Sequence, residues 1–169
     1  DGGAIYVFEG GAALTGGVTG ATVAPAARLL PPVGYAGEAI GTRLGALQAH
    51  DVTGDGREDL LASNGLLFAG GAGMVGVVVG TTLEVTPPGG VSLTIDTRTA
   101  ALKFGDVTGD GIDDIVGDVG LSTTVDGVAS AGLGCVWRGR ASFTGAVPAD
   151  HLLSVPTPQA LDEQGSFVG

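Results

Sequence analysis

Two ten-residue segments of the chain carry oxygen-bearing side chains at regular spacing. The first reads Asp-Val-Thr-Gly-Asp-Gly-Arg-Glu-Asp-Leu over residues 51–60, and the second reads Asp-Val-Thr-Gly-Asp-Gly-Ile-Asp-Asp-Ile over residues 106–115. Alternate residues of a tight turn can direct their oxygens at one centre, and calcium prefers six to eight such hard oxygen ligands. The repeated pattern therefore predicts two calcium-binding loops.

The predicted ligands occupy the first, third, fifth, seventh and ninth positions of each loop. The seventh ligand is a backbone carbonyl, and the other four are side chains. The first loop offers Asp51, Thr53, Asp55, the carbonyl of Arg57 and Asp59. The second offers Asp106, Thr108, Asp110, the carbonyl of Ile112 and Asp114. The valine at the second position of each loop, Val52 or Val107, is expected to point into the core.

Two other kinds of loop share part of this pattern. An EF-hand shares the opening of the pattern but needs a bidentate Glu at its twelfth position. Those positions hold Ala62 and Gly117, so the ninth-position Asp must close each site instead. The second alternative is an Asp-Gly turn between two strands, which requires no metal. Repetition of every ligand position favours calcium over a plain turn.

The elements that must position these loops are predicted to be short strands. The chain has 169 residues, of which 33 are Gly and 44% are hydrophobic. Many glycines between short β-branched runs indicate an all-β protein rich in tight turns. Strand-like segments precede the loops at residues 43–49 and 100–104 and follow them at 60–62 and 115–116. Further strands are predicted at residues 3–8, 73–79, 134–137, 91–95 and 152–155.

These segments define a repeated unit of four strands with the calcium loop between the first and second. Residues 1–36 would be the back half of one unit, 37–97 and 98–160 whole units, and 161–169 the start of another. Four-stranded antiparallel units repeated around an axis form a β-propeller, in which each unit is one blade. The predicted fold is therefore all-β, with propeller blades and calcium loops 51–59 and 106–114.

The loop motif, taken with the segment Gly-Ala-Ile-Tyr-Val-Phe-Glu-Gly at residues 3–10, resembles the FG-GAP repeat. That repeat builds the propeller of integrin alpha subunits and of many bacterial surface proteins. The resemblance implies that the matching loop positions bind calcium. It also implies a secreted or cell-surface location, a bacterial source and a role in adhesion or ligand recognition. The chain departs from the pattern at the Phe-Gly element, which here is Ile40-Gly41.

Charge and hydropathy limit the partners that the chain can have. The net charge is −11, which disfavours nucleic acid. Residues 60–83 carry no charge and are long enough to span a bilayer, but glycines interrupt them and the repeat assigns them to strands. We therefore expect a protein or glycan ligand and the remaining blades of the same propeller as partners, with no membrane span.

Three functions remain open from the sequence. The first is a calcium-stabilised adhesion or ligand-recognition propeller, the second is a scaffold propeller of a polysaccharide-active enzyme, and the third is a sugar-binding lectin. No catalytic residue is assigned, because the chain has neither a nucleophile elbow nor a zinc motif. Cys135 is expected to be a buried hydrophobe, and Tyr35 is the aromatic expected to be exposed.

Overall fold

The computed structural model describes residues 3–10, 24–34, 47–62, 65–85, 93–94, 102–118 and 133–153. Within these ranges the chain forms β-strands and one short 3-10 turn, Gly71–Gly73, so the all-β prediction is confirmed. The strands are β1 Ile5–Val7, β2 Ala27–Leu30, β3 Gln48–His50, β4 Asp59–Ala62, β5 Leu66–Phe68, β6 Gly76–Val79, β7 Thr81–Val85, β8 Leu93–Thr94, β9 Lys103–Gly105, β10 Asp114–Asp118, β11 Gly134–Trp137, β12 Ala146–Pro148 and β13 His151–Leu153.

The strands form three open sheets. The first sheet has the order β1-β2-β6, and the third has the order β13-β11-β10-β9. The second sheet has the order β12-β7-β5-β4-β3, with β8 paired to β7. In the third sheet every pairing is antiparallel, and the predicted calcium loop at 106–114 joins β9 to β10. The loop at 51–59 joins β3 to β4 in the same way.

Strand register shows that the second and third sheets repeat one structural plan. Leu60 lies opposite Phe68, and Ile115, which is 55 residues after Leu60, lies opposite Trp137. Phe68 and Trp137 are therefore equivalent. Likewise Leu67 lies opposite Thr81 and Val136 lies opposite His151, which makes β13 the counterpart of β7.

The first sheet follows the same plan in its third and fourth strands. The carbonyl of Val7 accepts the N–H of Ala26, as the carbonyl of Val136 accepts the N–H of Asp150. Val7 is thus equivalent to Val136, and Phe8 is equivalent to Trp137. In all three sheets this aromatic residue begins a triplet of an aromatic residue, a variable residue and a glycine, at residues 8–10, 68–70 and 137–139.

Neighbouring units are joined by parallel strand pairs. The strand β6, which precedes β7 in the chain, leaves the second sheet and pairs with β2 of the first. The strand β12, which precedes β13, pairs with β7 of the second sheet in the same way. Gly76 and Gly145 introduce these strands with φ values of +68° and +69°, a backbone region that glycine enters without steric cost.

The three sheets pack face to face in chain order. One core lies between the first and second sheets and contains Ala27, Leu29, Ala62, Leu66 and Phe68. The other lies between the second and third sheets and contains Val52, Leu61, Leu67, Leu83, Leu102, Ile115, Leu133, Cys135, Trp137, Phe143 and Val147. The central strands of the second sheet, β4 and β5, therefore bury both of their faces, which agrees with their nearly continuous apolar sequence.

Several predicted strands differ from those in the structure. Residues 73–79 were predicted to be the third strand of their unit, but β5 takes that place and β6 crosses to the first sheet. Residues 91–95 were predicted to be the fourth strand, but β7 takes that place and the two-residue β8 pairs with it. The prediction failed because uninterrupted apolar runs have no alternation from which to assign strand order.

The described residues of the uncharged segment 60–83 form four strands, β4 to β7, and the turn Gly71–Gly73, whereas the repeat predicted two buried strands with a turn; β6 is largely exposed. The part of the chain that the structure describes contains no apolar helix of membrane-spanning length. The unit boundaries near residues 36, 97 and 160 lie outside the described residues, so the four-part division of the chain stays a prediction.

Candidate functional site: the two aspartate-rich loops

The first loop is folded by its own carboxylates. The Asp51 carboxylate accepts N–H bonds from Gly54 at 2.7 Å, Asp55 at 3.1 Å and Gly56 at 2.8 Å. The Asp55 carboxylate accepts the N–H of Arg57 at 2.9 Å. Aspartate favours such turns because its short side chain reaches backbone N–H groups a few residues ahead. These four hydrogen bonds all join residues within five positions of one another, so this turn depends on local sequence.

The second loop repeats this pattern bond for bond. Asp106 accepts N–H bonds from Gly109 at 2.6 Å, Asp110 at 2.9 Å and Gly111 at 2.8 Å. Asp110 accepts the N–H of Ile112 at 3.1 Å. Gly56 and Gly111, each of which follows the fifth-position aspartate of its loop, have φ values of +81° and +87°. The two loops are thus copies in conformation as well as in sequence.

The ninth-position carboxylates are buried and hydrogen-bonded to backbone. Asp59 is 1% exposed and Asp114 is 0% exposed. Asp59 accepts the N–H groups of Val52 and Thr53 at 2.9 Å each, and its other oxygen accepts the N–H of Gly70 at 2.7 Å. The Thr53 hydroxyl lies 3.4 Å from that second oxygen.

Asp114 has the corresponding partners in the second loop. It accepts N–H bonds from Val107 and Thr108 at 2.9 Å and from Gly139 at 2.8 Å. Gly70 and Gly139 follow the third strands of their units, so each buried carboxylate ties its loop to a strand distant in sequence. A buried carboxylate is tolerated only when such bonds replace its lost hydration.

Close approach explains why glycine occupies positions 70 and 139. A Cβ on Gly70 would overlap the carbonyl oxygen of Glu58, and a Cβ on Gly139 would lie 2.6 Å from the carbonyl oxygen of Asp113. Both carbonyls belong to the residue just before the buried aspartate. Sequence reasoning did not identify this contact, although the recurrent aromatic-variable-glycine triplet was a signal for it.

The two loops lie next to each other. The Nδ1 atom of His50 lies 3.5 Å from a carboxylate oxygen of Asp113, and its ring stacks on Phe104 with 4.0 Å between centroids. The backbone N–H of Arg140 donates to the carbonyl of Val52 at 3.0 Å. His50 is the last residue of β3. These contacts place both candidate sites on one side of the stacked sheets.

An ion pair distinguishes the second loop from the first. The guanidinium of Arg138 lies 3.2 Å from a carboxylate oxygen of Asp110. The N–H of Ile112 lowers the pKa of Asp110 below its usual value, and Arg138 and the Thr108 hydroxyl act in the same direction. The residue equivalent to Arg138 in the first unit is Ala69, which has no charge.

The predicted ligands fit calcium by donor type but are not gathered into a tight cluster. Every predicted donor is an oxygen, which is the ligand that calcium prefers. Asp55 and Asp110 are exposed, Asp51 is partly exposed, and Asp59 and Asp114 are buried beneath them. Across the described ranges, no three His, Cys, Asp or Glu side chains converge closely enough to hold a metal ion. Calcium binding at these residues therefore stays a prediction.

Other sequence expectations have mixed outcomes. Cys135 and Trp137 are fully buried, as expected. Val52 is also buried, but Val107 is 61% exposed, so the prediction that both valines enter the core was wrong for the second loop. Tyr35 was the aromatic residue expected to be exposed, but it lies outside the described residues. Tyr6, which was not expected to be exposed, is 51% exposed.

We predict that Gly70→Ala and Gly139→Ala each destabilise the fold by about 1–3 kcal/mol, because the methyl group displaces an N–H donor from a buried carboxylate. Urea unfolding measures the change. Gly73→Ala is the matched control, because a Cβ at Gly73 has nothing within 4 Å. Equal stability of the three variants would contradict this role for the two glycines.

Comparison of the chain with protein-family models, curated proteins and solved structures found no significant match. Any assignment of function therefore depends on the geometry and chemistry of the two loops.

Proposed function

We propose that this chain is a calcium-stabilised segment of a β-propeller built from FG-GAP-type repeats. In this proposal it serves adhesion or ligand recognition in a secreted or cell-surface protein of bacterial type. The main observation behind the proposal is that the two loops correspond. Each loop makes seven hydrogen bonds from backbone N–H groups to its carboxylates, and the seven bonds occupy equivalent positions in the two sheets.

The sheet arrangement supports the propeller part of the proposal. A propeller stacks four-stranded antiparallel sheets around an axis, typically four to eight of them. In the third sheet, β9, β10, β11 and β13 pair in meander order, and the second sheet orders β3, β4, β5 and β7 in the same way. Successive sheets pack face to face, which is how neighbouring blades would meet.

The loop chemistry supports calcium as the cofactor. Asp51, Thr53, Asp55, the Arg57 carbonyl and Asp59 would hold one ion, and Asp106, Thr108, Asp110, the Ile112 carbonyl and Asp114 would hold the other. Bound calcium would offset most of the negative charge of the three carboxylates of each loop and so stabilise the turn. The chain itself folds each loop through the carboxylate–amide bonds, which orient Asp51 and Asp55, or Asp106 and Asp110, before any ion binds.

The expected size of the calcium effect follows from mass action. Extracellular calcium modules have dissociation constants of roughly 0.1–1 mM. At about 2 mM calcium and a dissociation constant near 0.1 mM, binding adds about 1.8 kcal/mol of stability for each site. A domain is stable by only about 5–15 kcal/mol, so two such sites would contribute a large share.

We predict that calcium raises the melting temperature of the chain and that Asp55→Asn removes about half of that rise, because only the first loop loses a charged ligand. Glu58→Gln is the matched control, since Glu58 is an exposed acid of the same loop at a position that holds no predicted ligand. Titration calorimetry should find two sites. An unchanged melting temperature in chelator and in calcium would overturn the calcium assignment.

We predict that the second loop binds calcium more weakly than the first, because Arg138 competes for Asp110. Solvent screening keeps an exposed ion pair weak, so Arg138→Ala should tighten calcium binding at the second loop by a few-fold at most. Asp55→Asn weakens the first site, so calorimetry that compares Asp55→Asn with the double variant Asp55→Asn, Arg138→Ala measures calcium binding at the second loop. Unchanged or weaker binding after removal of Arg138 would contradict the competition.

The ligand-recognition part of the proposal requires a separate test. We predict that the chain, with calcium present, binds a protein or a glycan on arrays of both classes, and that chelator weakens the binding by loosening the loops. Asp55→Asn should weaken it in the same direction, whereas Glu58→Gln should not. Absence of binding on both arrays by a calcium-loaded, folded chain would contradict recognition as its function.

A further inference from the structure

One side chain of the second loop lies on the first loop. Ile112 is partly buried, and its backbone carbonyl is a predicted ligand of the second loop. A Cβ on Gly54 of the first loop would lie 3.0 Å from Cδ1 of Ile112, and a Cβ on Gly139 would overlap Cγ2 of the same side chain. Ile112 therefore fills a space that is open because residues 54 and 139 are both glycine.

Two consecutive backbone amides after β11 also join the loops. The N–H of Gly139 donates to the buried Asp114 carboxylate of the second loop at 2.8 Å. The N–H of Arg140 donates to the carbonyl of Val52 in the first loop at 3.0 Å. The N–H of Val52 donates to the buried Asp59 carboxylate at 2.9 Å. A short run of backbone and hydrogen bonds therefore links one buried carboxylate to the other.

Asp150 holds these two amides in place. Its carboxylate accepts the N–H of Arg138 at 2.8 Å and pairs with the Arg140 guanidinium. The Nε of Arg140 also donates to the carbonyl of Arg138 at 3.0 Å. The turn at residues 138–140 is thus fixed by its own side chains, so a displacement of one loop is transmitted to the other.

The equivalent residue of the first loop makes a different contact. Arg57 occupies the seventh position of that loop, as Ile112 does in the second. A Cβ on Gly71 would lie 3.3 Å from Nη1 of Arg57, so the Arg57 side chain lies against the short 3-10 turn of its own unit. Of the two seventh-position side chains, Ile112 is the one that lies on the other loop.

We propose that the two loops are coupled in conformation, so that holding one loop in its folded form stabilises the other. Ile112 and the N–H of Arg140 transmit the coupling, because each is positioned by the second loop and contacts the first. Energetic coupling between sites passes through such packed side chains and hydrogen-bond networks when they have two arrangements. Here the two arrangements are the folded and the loosened loop.

Coupled loops make calcium binding cooperative, a consequence that rests on the proposed calcium function. When the Ile112 carbonyl and Asp114 hold an ion, the second loop is fixed, and so is the Ile112 side chain on Gly54. Linkage is reciprocal, so occupancy of the first loop favours the second by the same factor. Coupling between sites is typically about 5–150-fold, and we expect about fivefold because few contacts join these loops.

Repulsion between two bound cations acts in the opposite direction. Salt screens that repulsion beyond about 4 Å at about 0.5 M, whereas contacts between packed groups persist. At that salt concentration we therefore expect the contacts to set the sign of the coupling.

Calcium titration at this salt concentration tests the coupling. Two independent sites, whether equal or unequal in affinity, cannot give a Hill coefficient above one. We expect a coefficient above one for the wild type and one or below for Ile112→Ala, which keeps the carbonyl ligand and every carboxylate. Val107→Ala is the matched control and should behave as the wild type, because it truncates an aliphatic side chain of the same loop that is 61% exposed.

Amide exchange in chelator tests the coupling without calcium. Asp106→Asn loosens the second loop, because the new amide nitrogen cannot accept the N–H bonds that a carboxylate oxygen accepts. By NMR we expect about fivefold faster exchange at the amides of residues 54–56, which donate to Asp51 of the first loop. When Ile112→Ala is already present, Asp106→Asn should change that exchange little. Circular dichroism checks that each variant folds.

The outcomes separate this proposal from the proposed function. Two bound ions with a wild-type Hill coefficient of one or below would overturn the coupling and leave the calcium function standing. An equal coefficient above one in Ile112→Ala and the wild type would overturn the role of Ile112. Unchanged first-loop exchange in Asp106→Asn would also overturn the coupling. Absence of calcium uptake, with first-loop exchange still dependent on Asp106, would count against the proposed function alone.

Discussion

The structure depends on two buried carboxylates that are satisfied by backbone N–H groups. Transfer of a carboxylate out of water costs several kcal/mol unless other groups replace its hydration. Asp59 and Asp114 meet this requirement with two N–H donors from the start of their own loop and one from a glycine after the third strand. Each carboxylate therefore joins the first, second and third strands of its unit at one point.

Much of the remaining architecture follows from that junction. In both units the glycine that donates to the carboxylate follows a buried aromatic residue by two positions, so one triplet both fills the core and closes the loop. The loop is then held in a shape that presents Asp51 and Asp55, or Asp106 and Asp110, outward. Neighbouring units meet beside the loops, where His50 contacts Phe104 and Arg140 donates to Val52.

The sequence was most informative where the conformation is determined by neighbouring residues. The positions of the two loops were predicted, because Asp-Gly turns depend on side chains and φ values within a few residues. The strands beside them were also predicted, including Gly134–Trp137 with its observed bounds. Strand order in residues 66–94 was not predicted, because that segment is apolar on both faces and its crossing to the first sheet depends on long-range pairing.

Long-range contacts explain the other differences. Val52 and Val107 have the same local sequence, yet only Val52 is covered by a following sheet. The ion pair of Arg138 with Asp110 joins residues 28 positions apart, so no local sequence pattern predicts it. The glycines that contact Asp59 and Asp114 could have been found, because the aromatic-variable-glycine triplet recurs three times.

Unfolding of Asp59→Asn in chelator tests the role of the buried carboxylate most directly. The amide that replaces one carboxylate oxygen cannot accept the N–H bonds that this oxygen accepts, and hydrogen bonds to a charged group contribute about 1.5–3 kcal/mol. We expect a loss of about 2–3 kcal/mol in urea unfolding without metal, and little change for Glu58→Gln beside it. Equal stability of the two variants in chelator would contradict the claim that this carboxylate organises the unit.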